Sequence, residues 1–372
     1  MTARPALVVG LMSGTSLDGM DAALVKLKSA TEAELVGFVH RRYTTDQREE
    51  LLRALEGEAT PREYAKLHVR LADWAGEAVD RLLSQTHTKA TDLAGIGFPG
   101  QTLWHEPPIV SWQLGEPAVL VERFGTKVVS GFRASDVAAG GQGAPLVPLA
   151  DVELFGAADH PRVLLNIGGM ANLTYVPRRG SHEGAFAFDT GPGVAIIDAV
   201  ARMTAPDLPY DRDGQVSSQG KVDEKILKEL MALTYFHQRP PKSTGREQFG
   251  QPFAEQLYER LPGADAVATA VELTARTIAH AVATWVPGTA EVVASGGGTR
   301  HPLLWKALGR ALETHRAGTT LRRFDELFFD GDAKEAAAFA LLAYLTLNGQ
   351  PGNLPAATGA RGPRVLGAVS GP

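Results

Sequence analysis

The chain has 372 residues, 44% hydrophobic and 21% charged, which exceeds one typical domain of ~150 residues, implies two or three, and excludes wholesale disorder. A net charge of −5 with no long Lys/Arg block argues against nucleic acid as a partner. Zero cysteines exclude disulfides and thiolate zinc sites and fit a reducing compartment.

The run Leu7 to Met12 is short, holds a glycine and leads to Asp18 and Asp21, so it makes a poor signal peptide. Strands are expected at 6–12, 20–28 and 34–40, the first two broken at Asp18-Gly19, a dipeptide that favours tight hairpin turns. From Arg62 to Gln85 the residues Leu67, Leu71, Trp74, Ala78 and Leu82 recur at spacings of three and four, which predicts an amphipathic helix. Strand-like runs follow at 93–98, 117–121 and 127–130, then the glycine-rich, proline-bounded loop AAGGQGAPLVP.

Beyond that loop the pattern restarts with strands at 163–167, 172–176 and 185–188, helical periodicity over 253–286, a strand at 290–294, and helices near 302–315 and 333–347. The expected domains are therefore 1–140 and 141–347, with 348–372 returning to the first. Both begin with a strand, a polar glycine turn and a second strand, which suggests two similar α/β domains with a ligand cleft between them. The segment 264–286 is interrupted by Glu272, Arg276 and His280, and 336–347 is shorter than the ~20 residues a membrane span needs. A cytoplasmic protein without a membrane partner is expected.

A literal GxGxxG at Gly95 to Gly100 fails as a dinucleotide fingerprint, because Pro99 sits inside it and no helix can open there. The turn SGTSLDG is either a hairpin that needs glycine and Asp for local geometry, or a concavity of backbone N–H groups and Ser13, Thr15 and Ser16 hydroxyls for phosphate oxygens. Three more polar glycine turns, NIGGMANLT (166–174), FDTGPGV (188–194) and ASGGGTRHP (294–302), are each readable as a plain connection. All four together look like a nucleotide cradle of backbone donors and helix N-termini.

Asp189 is either a cap for the helix near Val194 or a candidate general base, since its carboxylate is ionised at neutral pH. Arg133 and Asp136 in GFRASD read as a solvated ion pair or as a clamp for an anionic substrate. Gln101, Thr102 and His105 read as loop polars or as ligands of sugar hydroxyls, Lys242 and Arg246 as surface charge in a proline-led loop, and Glu335 as a favourable charge at a helix N-terminus. The ten histidines show no spacing of the HExxH kind, and no metal-binding residues are assigned.

GLMSGTSLDGMDAALV, GQTLWH, AAGGQGAPLVP, NIGGMANLT, FDTGPG, PPKSTGRE, the triple glycine and AKEAAAFALLAYLTLNGQPGNLPAATGA, in that order, resemble the anhydro-N-acetylmuramic acid kinase family. The resemblance implies an actin-like ATPase and sugar-kinase fold, ribonuclease H-like, of two α/β domains. It also implies a kinase that uses ATP and Mg²⁺ to open the 1,6-anhydro ring of an amino sugar with water and phosphorylate O6, in peptidoglycan recycling, as a cytoplasmic homodimer. By position, Asp189 matches the base, and Gly14, Thr15, Ser16, Leu17, Asp18, Gly19, Met20 and Asp21 match the ATP-phosphate loop. Asn166, Gly168 and Gly169 fall in the second phosphate turn and Gly296, Gly297 and Gly298 on the adenosine side. Gln101, Thr102, His105, Arg133, Asp136 and Glu335 are expected on the sugar.

Four positions depart from the family's pattern: Pro99 stands where His is usual, Gly131 for Asp, Val194 for Asn and His301 for Asn. The aspartates that this superfamily often places at the positions of Met12 and Asn166 are also missing. Two alternatives remain: an ordinary amino-sugar kinase of the same fold, and a catalytically silent ATP- or sugar-binding sensor.

Overall fold

A computed structural model describes residues 5–14, 16–288 and 291–372. The chain divides into two compact units, Met1–Phe155 with Asp332–Pro372, and Gly156–Gly331. This differs from the expected division at 140: the helix Lys334–Leu347 belongs to the first unit.

The first unit opens with an antiparallel meander of β1 (Ala6–Met12), β2 (Gly19–Leu27) and β3 (Ala33–Arg42). β4 (Leu93–Phe98) lies parallel to β1, a separate hairpin follows of β5 (Gln101–Glu106) and β6 (Val110–Leu114), and β7 (Val128–Ser130) lies parallel to β4. The strand Ala368–Ser370 closes the far edge, antiparallel to β7. The expected amphipathic helix spans Pro61–Thr86 and starts on a capping box between Thr60 and Glu63 with proline at its first position. It buries Leu67, Leu71, Ala78 and Leu82 against β2 and β3.

In the second unit β8 (Arg162–Ile167), β9 (Met170–Val176) and β10 (Phe186–Pro192) form an antiparallel meander, with β11 (Glu291–Ser295) parallel to β8 and β12 (Thr320–Arg323) parallel to β11. Its strand order is β10-β9-β8-β11-β12, and the order in the first unit is β3-β2-β1-β4-β7 plus the closing strand. The same chain path thus occurs twice, each time as an α/β unit with a mixed sheet.

Three segments differ from expectation. Residues 117–121 are not a strand but the start of the helix Pro117–Phe124: Pro117 opens it, the Glu116 carboxylate caps the Ala118 N–H, and Leu120 and Phe124, four apart, are buried. The periodic stretch 253–286 is two helices, Gln251–Arg260 and Ala264–Trp285, broken at Leu261-Pro262-Gly263, where Gly263 has a φ of +84°. The β5–β6 hairpin was not anticipated at all.

Glycines fix how the helix Lys334–Leu347 seats on its sheet. A Cβ added at Gly10 would lie 1.9 Å from the Ala336 carbonyl oxygen and 2.4 Å from the Ala340 nitrogen, and one at Gly97 2.5 Å from the Phe339 carbonyl oxygen. Gly10 and Gly97 are paired neighbours on β1 and β4, so the helix backbone rests directly on the sheet. Gly95 and Gly97 of GIGFPG therefore serve this approach, and the run passes from β4 into β5 without opening a helix.

Gly10→Ala should lower the unfolding free energy by at least ~1–3 kcal/mol, since the helix must lift off both strands. Chemical denaturation measures it, and wild-type stability would mean that the close approach is not real.

Candidate active site

The turn between β1 and β2 buries Ser13 and Leu17 and leaves Ser16 and Asp18 exposed. The Ser13 hydroxyl donates to Gln101 Oε1 at 2.6 Å, so the Tyr43 hydroxyl, 2.8 Å away, must be the donor to Ser13 Oγ. The Tyr43 amide also donates to the Asp18 carbonyl at 3.0 Å, so one residue braces both ends of the turn. Burial pushes the Tyr43 phenol up to about 12, which keeps it a neutral donor.

Leu17, held at φ +52°, and Met20 send their side chains into the core, and Gly19 lies flat on the Arg41 carbonyl of β3. These three, expected on ATP, leave only backbone atoms for a ligand. The Ser16 hydroxyl donates to Asp18 Oδ1 at 2.8 Å, and Asp21 pairs with His40 at 2.6 Å. Gly14 is different: a Cβ there would meet only Ser16 Oγ, at 3.6 Å, so space for a ligand lies against it. Thr15 lies outside the described residues.

Among the residues expected on the sugar, Gln101 is only 1% exposed and holds Ser13, so it is a strut under the turn and not a ligand. Thr102 Oγ1 accepts weakly from Gln113 at 3.5 Å, and His105 faces Ser111 Oγ at 2.9 Å on the exposed hairpin. Asp136 is corrected as well. It is 0% exposed, and its carboxylate accepts from the Gly143 amide, Asn353 Nδ2 and Thr358 Oγ1, each at 2.7 Å, which ties the glycine-rich loop to the C-terminal segment. It makes no ion pair with Arg133.

Arg133 donates Nη1 to the Gly143 carbonyl at 2.8 Å, and its other guanidinium N–H groups take no partner among the described residues. Its charge is felt by both His105 and Glu335. Burial lifts the Glu335 carboxyl above the usual range, Lys334 pulls it back and Asp21 pushes it up again. Glu335 takes no hydrogen bond among the described residues, so Arg133 and Glu335 remain a cation and a carboxyl with open bonding capacity on one unit.

In the second unit the turns interlock. The Gly168 carbonyl accepts from the Val194 amide at 2.9 Å, and the Gly169 carbonyl from Gly193 at 2.9 Å and Ala195 at 3.1 Å. Gly296, at φ +88°, and Gly298 are wedged against Asn166 and Ile167, whereas a Cβ on Gly297 would meet nothing within 4 Å. Gly297 is the triple-glycine position open to a ligand.

Asp189 sits on β10 next to a register shift and is partly buried. Its amide donates to the Lys242 carbonyl at 3.1 Å, its carbonyl accepts from the Tyr235 hydroxyl at 2.8 Å, and its Oδ2 accepts from the Thr244 amide at 2.9 Å. Oδ1 takes no hydrogen bond among the described residues. Burial pushes this carboxyl up to about 6, against the lowering pull of the Thr244 N–H and with a further push from Glu247. Asp189 is thus not a helix cap. It is a carboxylate with one oxygen anchored and one free, poised near neutral pH to accept a proton.

A family model for anhydro-N-acetylmuramic acid kinase matches residues 6–371. The chain belongs to the anhydro-N-acetylmuramic acid kinase family. Relatives so named include one from Gloeobacter violaceus, 42% identical over 369 residues and covering 96% of each chain. Another, from Caldanaerobacter subterraneus subsp. tengcongensis, is 39% identical over 386 residues, covering 98% of this chain and 96% of its own. A third, from Bacillus thuringiensis, is 36% identical over 381 residues, covering 98% and 99%.

Two departures from the anhydro-N-acetylmuramic acid kinase pattern have structural accounts. Gly131 holds φ +65° with open space at its Cβ, a conformation glycine adopts without the cost that Asp bears there. His301 caps the helix Pro302–His315: its Nδ1 accepts from the Leu304 amide at 3.1 Å while Nε2, therefore protonated, faces Asp211 Oδ2 at 2.9 Å. An Asn side chain supplies the same acceptor, so the exchange preserves the cap.

Sequence reasoning missed Tyr43, Tyr235 and Thr244. Thr244 lies inside the quoted PPKSTGRE, but nothing in spacing marks a backbone amide as the anchor of a distant carboxylate.

Asp136→Asn should destabilise the protein by ~1.5–3 kcal/mol, because an amide cannot serve all three donors. In the folded fraction KM for sugar should stay within about threefold. A large rise in KM with normal stability would return Asp136 to the substrate.

Proposed function

We propose that the chain phosphorylates 1,6-anhydro-N-acetylmuramic acid at O6 with ATP while water opens the anhydro ring, giving N-acetylmuramic acid 6-phosphate and ADP, with Asp189 as the base. The observation that carries this reading is the free Oδ1 of a carboxyl raised to about 6 and gripped by Thr244 through the other oxygen. Asp189 Oδ1 takes a proton from water as the water oxygen bonds to C1. The C1–O6 bond breaks, its electron pair stays on O6, and O6 takes the γ-phosphoryl group as ADP departs. No separate acid is needed, because the leaving oxygen is captured by phosphorus instead of a proton.

Arg133 and Glu335 are assigned to the sugar. The open position at Gly14 in the first unit fits phosphate oxygens that take backbone N–H groups, and Gly297 in the second unit is likewise open. Mg²⁺ supplies charge neutralisation on the transferring phosphates. Among the described residues no group of three or more His or acidic side chains is arranged to hold it, and Asp18 Oδ1 is engaged by Ser16. Such an ion would be carried by the triphosphate and water, which Mg²⁺ commonly retains. No described helix is long and apolar enough to cross a membrane. The reading includes a cytoplasmic homodimer, for which sedimentation and fractionation are the checks.

Asp189→Asn should lower kcat by ~10²–10⁴ while ATP still binds. For the wild type, kcat should fall as pH drops through about 6, since Asp189 is then protonated and has no lone pair to offer. Product made in ¹⁸O-water should carry label at C1. An unchanged rate in the Asn variant removes Asp189 as base, and a product that gains phosphate without water marks an ordinary kinase.

A further inference from the structure

Lys242 behaves unlike a surface lysine. It is only partly exposed, its ammonium donates to the Tyr235 carbonyl at 2.8 Å and more weakly to the Phe236 carbonyl at 3.4 Å, and it lies 4.5 Å from the Tyr235 ring centroid and 5.9 Å from that of Phe188. Among the described residues it has no carboxylate partner. Burial pulls the ammonium down to about 8, so it holds its charge at neutral pH against a desolvation penalty.

These contacts close a ring. Asp189 N–H donates to Lys242 O, Tyr235 O–H donates to Asp189 O, and Lys242 Nζ donates back to Tyr235 O. Two residues along, Thr244 N–H reaches Asp189 Oδ2. We propose that Lys242 and Tyr235 are positioning residues that lock Asp189 by both its main-chain groups, so that Thr244 N–H captures Oδ2 and Oδ1 alone is presented for proton transfer. The proposal rests on Asp189 being the base.

The geometry is economical. A rotation of the carboxyl that freed Oδ2 from the Thr244 N–H would change which oxygen is presented. Other titratable groups reach this ring from the elements around it: Glu247, from the short helix Arg246–Phe249, acts on Asp189 and Tyr235, and Lys242 acts on His280 of the helix Ala264–Trp285. None of them bonds to Oδ1.

Lys242→Met keeps the length and the apolar contact with the rings but removes the donor. It should lower kcat ~10–100-fold, the scale of a misplaced reacting group, with KM for ATP and sugar within about threefold. The acid limb of the kcat profile should move above its wild-type position near 6, because the Thr244 N–H that holds the pKa down is no longer in register. Lys242→Arg, which retains donors, should recover most of the rate. Tyr235→Phe removes only the hydroxyl and should shift kcat and the limb in the same direction by a smaller factor; it also decides the matter if Lys242→Met does not fold.

The lock is overturned if Tyr235→Phe and folded Lys242→Met keep the wild-type kcat and acid limb. It is overturned equally if Lys242→Met raises KM for ATP with kcat held, which would make Lys242 a phosphate ligand. Asp189→Asn measured alongside separates the two failures. Activity in that variant removes the base itself, whereas inactivity there with normal Lys242 and Tyr235 variants removes the lock alone.

Discussion

The approach of one helix backbone to two glycine strands governs the first unit. With Gly10 and Gly97 beneath it, the helix Lys334–Leu347 sits closer to β1 and β4 than any side chain would permit. β1 runs from this contact straight into the polar turn, and the helix begins at Lys334 and Glu335. Seating the helix therefore sets where Glu335 stands relative to Asp21 and Arg133, whose charges it feels. Interiors are close-packed and resist small shifts, so a contact made between backbones transmits position with little slack.

The polar turns achieve the opposite arrangement to the one their composition suggests. A run of hydroxyls and glycines looks like a row of side chains offered to a ligand, yet Ser13 is spent on Gln101 and Tyr43, and Ser16 on Asp18. Ser13 stiffens the turn from behind, while the Ser16–Asp18 pair is tied up with itself on the exposed side, which leaves the peptide backbone as the turn's uncommitted donors. Phosphate oxygens are well served by this, since preorganised N–H groups need no rotamer to be frozen when the anion arrives.

The two-unit α/β organisation and most strands were legible because alternating apolar runs and glycine turns are local signals. The helix at Pro117–Phe124 was misread because Pro117-Ala-Val-Leu-Val is equally apolar in either period, and only the Glu116 cap decides it. Placing the helix 334–347 in the first unit required knowing which strand it covers, a long-range fact whose trace in sequence is three scattered glycines, Gly10, Gly95 and Gly97. At the candidate site, the motif marks Asp189 as a candidate, though the strand expected to end before it runs on through Pro192, while residue type alone places Gln101 and Asp136 on the substrate. Their hydrogen-bond partners come from positions as remote as Ser13 and Asn353, and residue type cannot reveal whether a polar atom is already satisfied.

Satisfaction is what separates the chain's structural carboxylates from its chemical ones. Asp136 has three donors on its two oxygens, and Asp211 is met by the Val216 and Ser217 amides and by His301; both are almost wholly buried, and both carry the architecture. At Asp211 burial pushes the carboxyl up, but His301, Ser217 and the Val216 amide outweigh it and hold it below the usual carboxylate range. Asp189 has one donor and one open oxygen, and Glu335 has none among the described residues. Burial without compensating donors raises their proton affinity. That cost to the folded state is borne at Asp189 and Glu335, as it is at Asp21 and Asp198, where burial also lifts the carboxyl.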